Sequence, residues 1–176
     1  MIPRRTSLGP LRTARERWKL RSRAEVGEGV QLLGRMWTYG GGRIMIGNRV
    51  VFDASRAPIE LHVNEGAQLL IGDDVFIEGG SSIEAVESVQ LGTGAFVGAW
   101  SKILDNHFHP LYGDRGLLPT SEPVVIGPRV RIGERCIVLP GTKLEEGVRL
   151  GPGVVIGRRV PAGLELEGSP PRRVVQ

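Results

Sequence analysis

The sequence predicts an all-β fold, a parallel β-helix wound from short coils, on the basis of two observations. From residue 126 a six-residue pattern runs nearly unbroken, with Ile, Leu or Val first in each hexad and a small or medium residue fifth. The composition combines 26 Gly and 12 Pro with only three Trp, two Tyr and four Phe, which indicates many tight corners and few bulky core fillers.

The period of six follows from strand geometry. A short strand points two side chains inward around one outward residue, and a corner of about two residues then turns the chain. Three such sides close a coil of about eighteen residues, so residues 26–166, less one loop, predict roughly seven coils. A two-residue slip interrupts the pattern near Val89. The predicted first positions are Val26, Leu32, Ile46, Phe52, Ile71, Ile77, Ile83, Leu91, Val97, Ile103, Ile126, Ile132, Val138, Leu144, Leu150 and Ile156.

A basic segment, residues 1–24, precedes the predicted β-helix domain of residues 25–176. The first 23 residues carry eight Arg and Lys and one Glu, a net +7, which leaves −3 for the rest of a chain at +4. The high pI is therefore no argument that the body binds nucleic acid. Leu8, Leu11, Ala14 and Trp18 have helical spacing, so the segment is either a solvated or partner-packed helix or a basic helix on an anionic membrane surface.

Other features exclude several classes of protein. No apolar run approaches the roughly 18 residues of a spanning helix, and the N-terminus lacks the apolar core of a secretion signal, so we expect a cytoplasmic protein. The one cysteine, Cys136, excludes an internal disulfide and a multi-cysteine zinc site. Cys136 is fifth in its hexad, IGERCI, and should therefore point into the core, which argues against a thiol nucleophile.

The hexads, a loop at residues 106–123 and the segment ILDNHFHPL at 103–111 resemble the hexapeptide-repeat acyltransferases. The resemblance covers about residues 44–175, and it is nearest to sugar and polysaccharide O-acetyltransferases of the maltose and galactoside type. It implies a left-handed coil, acetyl-CoA as donor, no metal, a sugar or glycoconjugate acceptor and a homotrimer with active sites between subunits. The acceptor, the choice of O- or N-acylation and the acyl length stay open.

The resemblance also implies a catalytic histidine in the first turn of the loop. His109, which precedes Pro110, matches that position. An imidazole with a pKa of about 6.5 can take the proton of a hydroxyl as it attacks a thioester. Asp105 and Asn106 would orient this base or serve as plain corner residues, and His107 would assist it or line the acceptor site. Glu84 and Glu87, at the repeat slip, are candidates to contact the acceptor or ordinary surface residues.

The resemblance further implies where coenzyme A binds. Arg158 and Arg172 fall at basic positions of the family tail and would pair with the phosphates of the cofactor, or remain solvated charges. Gly151 and Gly153 would let the pantetheine arm approach the backbone. Two other functions compete: a metalloenzyme similar to the γ-class carbonic anhydrases, for which the chain has three histidines, and a non-catalytic scaffold. The third histidine, His62, is expected to be structural.

Overall fold

The computed structural model describes residues 20, 22–107, 121–168 and 170–174, and within them it contains nineteen strands. The strands are β1 (Glu25–Val26), β2 (Gln31–Tyr39), β3 (Arg43–Ile46), β4 (Val51–Val63), β5 (Gln68–Ile71), β6 (Phe76–Glu78), β7 (Ser82–Ala85), β8 (Ser88–Leu91), β9 (Phe96–Val97), β10 (Lys102–Leu104), β11 (Val124–Ile126), β12 (Arg131–Ile132), β13 (Ile137–Val138), β14 (Lys143–Leu144), β15 (Arg149–Leu150), β16 (Val155–Ile156), β17 (Arg159–Val160), β18 (Glu165–Glu167) and β19 (Arg172–Arg173).

The strands form the three sides of a parallel β-solenoid. Side one is the sheet β1-β3-β5-β8-β11-β14-β17. Side two runs from the first half of β2 through β4, β6, β9, β12 and β15 to β18, and side three runs from the second half of β2 through β4, β7, β10 and β13 to β16. These strands make six complete coils and two sides of a seventh. The architecture confirms the predicted all-β hexapeptide coil and agrees with the predicted left hand.

The core is one column of side chains contributed by the first and fifth hexad positions. Among the buried residues are the predicted first-position aliphatics Ile77, Ile103 and Ile132, each fully enclosed. Burying one such side chain contributes about 1.5–3 kcal/mol before entropy is counted. The fifth positions are buried as well, and the polar Thr142 is accommodated because its hydroxyl donates to the carbonyls of Leu139 at 2.7 Å and Ile156 at 3.1 Å.

The first coils depart from the six-residue rule. The thirteen-residue strand β4 runs from side two into side three without a break and pairs with the long β2, whose register shifts between Gly34 and Met36. The predicted slip near Val89 is present: Ile71 pairs with Leu91, two residues further along the chain than a regular coil of eighteen would place it. Coils are numbered below from one to seven by their side-one strand.

The predicted basic segment lies mostly outside the described residues, which include only Leu20 and 22–24 of it. Leu20 is buried against the first coil, and the Arg23 guanidinium donates to the carbonyl of Gly40. The division between residues 1–24 and 25–176 therefore stays a prediction. Within the described ranges, no helix has the length and hydropathy to cross a membrane.

Candidate functional site

The predicted loop leaves the solenoid at the corner between side three of coil 4 and side one of coil 5. Strand β10 ends at Leu104 and β11 begins at Val124, and residues 108–120 between them, with the predicted base His109, lie outside the described residues. The two ends of the loop meet, because the N–H of Glu122 donates to the carbonyl of Asp105 at 2.8 Å. The Glu122 carbonyl accepts from the N–H of Gly141 in the next coil at 3.0 Å, so the loop returns directly into the stack.

The Asp105 side chain fixes this loop root. Its carboxylate is fully buried and accepts three backbone N–H bonds, from Val86 and Glu87 at 2.8 Å and from Ser88 at 2.7 Å. These three donors form the corner directly above in coil 3, where the repeat slips. Both carboxylate oxygens therefore accept hydrogen bonds from the backbone, and Asp105 serves as a corner residue that joins two coils. Its predicted role in orienting His109 stays a prediction.

The structure brings four other predicted site residues to the same corner. Asn106 is buried and His107 is half-buried directly after Asp105. Glu84, on β7, accepts a hydrogen bond from the Ser82 hydroxyl at 2.9 Å. Glu87 accepts one at 2.8 Å from the hydroxyl of Ser121, at the returning end of the loop.

A groove of about 590 Å³ opens on side one beside this corner, within the 300–1,000 Å³ range of small-ligand sites. Its lining residues are Arg43, Gly66, Ala67, Gln68, Glu87, Ser88, Gln90 and Pro123. The Ser88 hydroxyl is buried without a hydrogen-bond partner among the described residues. An unpaired buried hydroxyl is rare in native proteins. Ser88 was missed at the sequence level, because only the three-dimensional packing shows its hydroxyl to be unpaired.

The residues predicted to bind coenzyme A do not meet in one place. Gly151 and Gly153 lie at the corner between sides two and three, whereas Arg158 lies at the corner between sides three and one, in the same column as the loop root. Arg172 lies on β19, an antiparallel strand that closes side two, with Glu167 as its register partner. All four residues keep their predicted roles as predictions.

Side two carries a pair of exposed arginines that the sequence did not predict to lie together. Arg131 and Arg149 are register partners on β12 and β15, and both point outward and are exposed. The Arg131 guanidinium lies 4.7 Å from the centre of the Phe96 ring, which itself stacks on Phe76. The hexad pattern places these arginines outward, but only the register of the coils brings them together.

Two alternative chemistries find little support in the described residues. Cys136 is buried, its Sγ lies 3.2 Å from the carbonyl of Gly151, and burial raises the pKa of its thiol, so the reactive thiolate is disfavoured. Within residues 20, 22–107, 121–168 and 170–174, no group of three His, Cys, Asp or Glu side chains could hold a metal ion. His62 is exposed on β4 and contacts Tyr39, with ring centres 5.8 Å apart.

Comparison with known proteins agrees with the coil and its repeats. Two family models match: "Bacterial transferase hexapeptide (six repeats)" at residues 123–158 and "Hexapeptide repeat of succinyl-transferase" at residues 68–99. The described coils and these repeats define a hexapeptide-repeat β-solenoid protein. The two matched ranges cover less than half of the chain, so they identify its repeats.

The chain is also similar to a curated protein over part of its length. The chain is 30% identical over 112 residues to WbbJ of Escherichia coli (strain K12), which bears a provisional name as a lipopolysaccharide biosynthesis O-acetyl transferase; the match covers 58% of this chain and 57% of WbbJ. It therefore spans little more than half the length of this curated relative.

Two solved structures share the fold at low identity. One is a mutant of AntD, an N-acyltransferase from Bacillus cereus in complex with dTDP and coenzyme A, with a TM-score of 0.72, 17% identity, and coverage of 91% of this chain and 88% of AntD. The other is a galactoside acetyltransferase in complex with coenzyme A, with a TM-score of 0.60, 20% identity, and coverage of 97% and 74%.

Proposed function

We propose that this protein is a coenzyme-A-dependent acyltransferase that moves an acetyl group to a hydroxyl of a sugar or glycoconjugate. The names of WbbJ and of the galactoside acetyltransferase support an acetyl donor and a saccharide acceptor, and the complexes of two fold neighbours support coenzyme A as the carrier. The matched hexapeptide repeats and the loop at one coil corner favour this function over a non-catalytic scaffold, since a loop inserted into a regular solenoid is usually functional.

The observation that carries the proposal is the fixed root of that loop. Asp105 and Glu122 clamp the two ends of the loop at one corner, beside the 590 Å³ groove, and the sequence His107-Phe108-His109-Pro110 follows within a few residues. A rigid root limits where a histidine so close to it can reach, which favours a positioned base over a solvated side chain.

In the proposed reaction, the His109 imidazole removes the proton of the acceptor hydroxyl as the oxygen attacks the thioester carbonyl. The tetrahedral intermediate collapses, the C–S bond breaks, and the departing thiolate receives the proton from the imidazolium. No acyl-enzyme forms. Asn106 and His107 would hold His109 or the acceptor, and Gly151, Gly153, Arg158 and Arg172 would contact coenzyme A.

We further propose that the protein acts as a homotrimer in the cytoplasm, where acetyl-CoA is made. An outward groove of about 750 Å³ follows side one, and the apolar side chains of Met45, Leu70 and Val125 line part of it. Burying such a face against a second copy of the chain would remove apolar surface from water. Light scattering of the full chain tests this assembly, and a monomer would contradict an active site shared between subunits.

The test of function uses the full chain with acetyl-CoA, a panel of sugars and oligosaccharides, and detection of free thiol. We expect His109→Ala to lower kcat by about 10²–10⁴-fold, the range for a lost general base, with coenzyme A binding unchanged. His107→Ala is the matched control, with an expected loss below tenfold. Equal activity of wild type and His109→Ala would exclude His109 as the base, and the absence of any thermal shift with coenzyme A would exclude the donor.

A further inference from the structure

The exposed aromatic side chains of the solenoid gather at one side. In the described part of the chain, the large hydrophobic side chains that remain exposed are Trp37 (38%), Tyr39 (49%) and Trp100 (56%). Trp37 and Tyr39 point outward from side three of coil 1, and Trp100 lies at the corner where side three of coil 4 begins. Exposed aromatic residues grouped on one face mark an interaction surface more often than scattered ones.

Polar groups are interleaved with these aromatics in two register columns. One column is Trp37, Glu60, Ser82 and Lys102, and the other is Tyr39, His62, Glu84 and Leu104. With coils stacked about 4.8 Å apart, each column spans about 14 Å, longer than one sugar ring. The second column ends at Leu104, directly before the loop root. These eight residues, with Trp100, are called the aromatic face below.

The backbone at Trp100 is held in a conformation that a bulky residue normally avoids. Its φ is +62°, in the left-handed region, which costs about 1–2 kcal/mol for a residue with a side chain. The indole lies on the backbone of Gly80 in the coil above, where an added Cβ would stand 2.4 Å from the ring. Gly80 thus leaves the space that the ring occupies, while more than half of the side chain faces solvent. Arg135 takes the same corner position in the next coil with a φ of +56°, so the conformation belongs to the corner, and it is the exposed ring that marks Trp100 as a contact residue.

The charges of the aromatic face select among ligands. Glu60 is half-buried and, within the described residues, its carboxylate has no hydrogen-bond partner, whereas the carboxylate of Glu84 accepts from Ser82 alone. With the exposed Lys102 offsetting one of them, the face carries a formal net charge of −1, which disfavours the diphosphate of a nucleotide sugar and an acidic polysaccharide, while its carboxylates accept hydrogen bonds from sugar hydroxyls. Aromatic rings meanwhile cover the apolar faces of pyranose rings.

We propose that the aromatic face binds an extended, uncharged glycan, which is the acceptor chain whose modified unit reaches the loop root. This inference rests on the proposed acyl transfer for the identity of the reaction, but the binding itself is independent of it. It assigns Trp37, Tyr39 and Trp100 as stacking residues and Glu60, His62 and Glu84 as hydroxyl-binding residues. It also excludes a free nucleotide sugar as the ligand of this face.

The experiment is isothermal titration calorimetry of the full chain with maltose, maltoheptaose, N-acetylglucosamine and its linear oligomers, and oligosialic acid as the polyanion. We expect at least one neutral oligomer to bind at least tenfold more tightly than its own monosaccharide or disaccharide, and oligosialic acid not to bind. Trp37→Ala and Tyr39→Ala should each raise the Kd for that oligosaccharide by about threefold to tenfold, the size of a lost aromatic contact. Trp100→Gly should do the same while keeping the backbone conformation, since glycine tolerates a positive φ.

Phe76→Ala is the matched control, because Phe76 is an outward aromatic residue on side two. It should leave the affinity for glycans unchanged. The inference would be overturned if none of the neutral oligosaccharides bound, or if Phe76→Ala lost as much affinity as the face variants. It would also be overturned if light scattering showed a smaller protein assembly in Trp37→Ala and Tyr39→Ala, because the face would then be a contact between protomers. Coenzyme A titrated into the same variants reports separately on the proposed function: it should bind them all equally, and failure to bind wild type would refute the donor, not the glycan surface.

Discussion

Replacing Asp105 by alanine should destabilise the protein more than almost any other polar substitution in the described chain. The change removes the acceptor of three short hydrogen bonds at a fully buried position. The N–H of Ser88, a buried residue, would be left unpaired at about 1–3 kcal/mol, while those of Val86 and Glu87, at the rim, would each lose about 0.5–1.5 kcal/mol net. The total is about 4 kcal/mol.

Urea denaturation followed by circular dichroism, at fixed protein concentration because of the proposed trimer, measures this loss. For a chain of this size, about 4 kcal/mol corresponds to a fall in Tm of roughly 8–16 °C. Asp105→Asn keeps one acceptor oxygen and should lose about half as much. Asp53→Ala is the matched control, because among the described residues that carboxylate accepts only from nearby Ser55, so the change should alter stability by less than about 0.5 kcal/mol. A loss below about 1 kcal/mol in Asp105→Ala would refute the three-bond clamp.

Three further outcomes are expected. Ser88→Ala should be neutral or slightly stabilising in urea, since it removes a buried hydroxyl without a partner among the described residues, and a loss above about 1 kcal/mol would reveal a bond to the rest of the loop. Cys136 should react with a thiol reagent only after unfolding, because burial raises the pKa of its thiol, and rapid labelling of the native protein would contradict its core position. Three carboxyl groups have lowered pKa values because they accept hydrogen bonds: Asp73 from Asn48, Asp74 from Arg49, and Glu145 from Arg159. The stability that these bonds give to the folded protein is complete above the ordinary carboxyl pKa of about 4 and is lost as the pH falls through the lower folded values. Neutralising Asp74 to Asn should therefore flatten the acid limb of a plot of Tm against pH.

The regular coils could be predicted because each hexad repeats the same packing problem. Between Ile126 and Ile156 every inward position is aliphatic or small, and the structure buries all of them. The early coils could not be counted in this way, because β4 turns from side two to side three without a break. Its inward residues Ala54 and Ile59 are five apart rather than four, which conceals the corner from a hexad search.

The site was only partly predictable for a related reason. A motif at residues 103–111 marks the corner where the loop leaves, but the partners of Asp105 belong to the coil above and depend on a register that the slip obscures. Trp100 occupies a corner position that Gly80 and Gly153 fill with glycine and Arg135 fills with arginine, and the hexad pattern does not show that its ring lies on the backbone of Gly80. The sequence pattern describes the residues within each coil, but these two features depend on contacts between neighbouring coils, which the pattern does not give.

The placement of the loop explains how a regular solenoid accommodates it. Hydrogen bonds between coils run through the sides, and both strands that flank the loop keep theirs: β10 pairs with β7 and β13, and β11 pairs with β8 and β14. The insertion therefore breaks only a corner, and the Glu122-to-Asp105 hydrogen bond closes that corner again. Because both flanking strands keep these pairings, we expect the loop to tolerate change, whereas Asp105 is constrained by the fold itself. Substitutions within the loop should accordingly change activity without changing stability, and those at its root should change both.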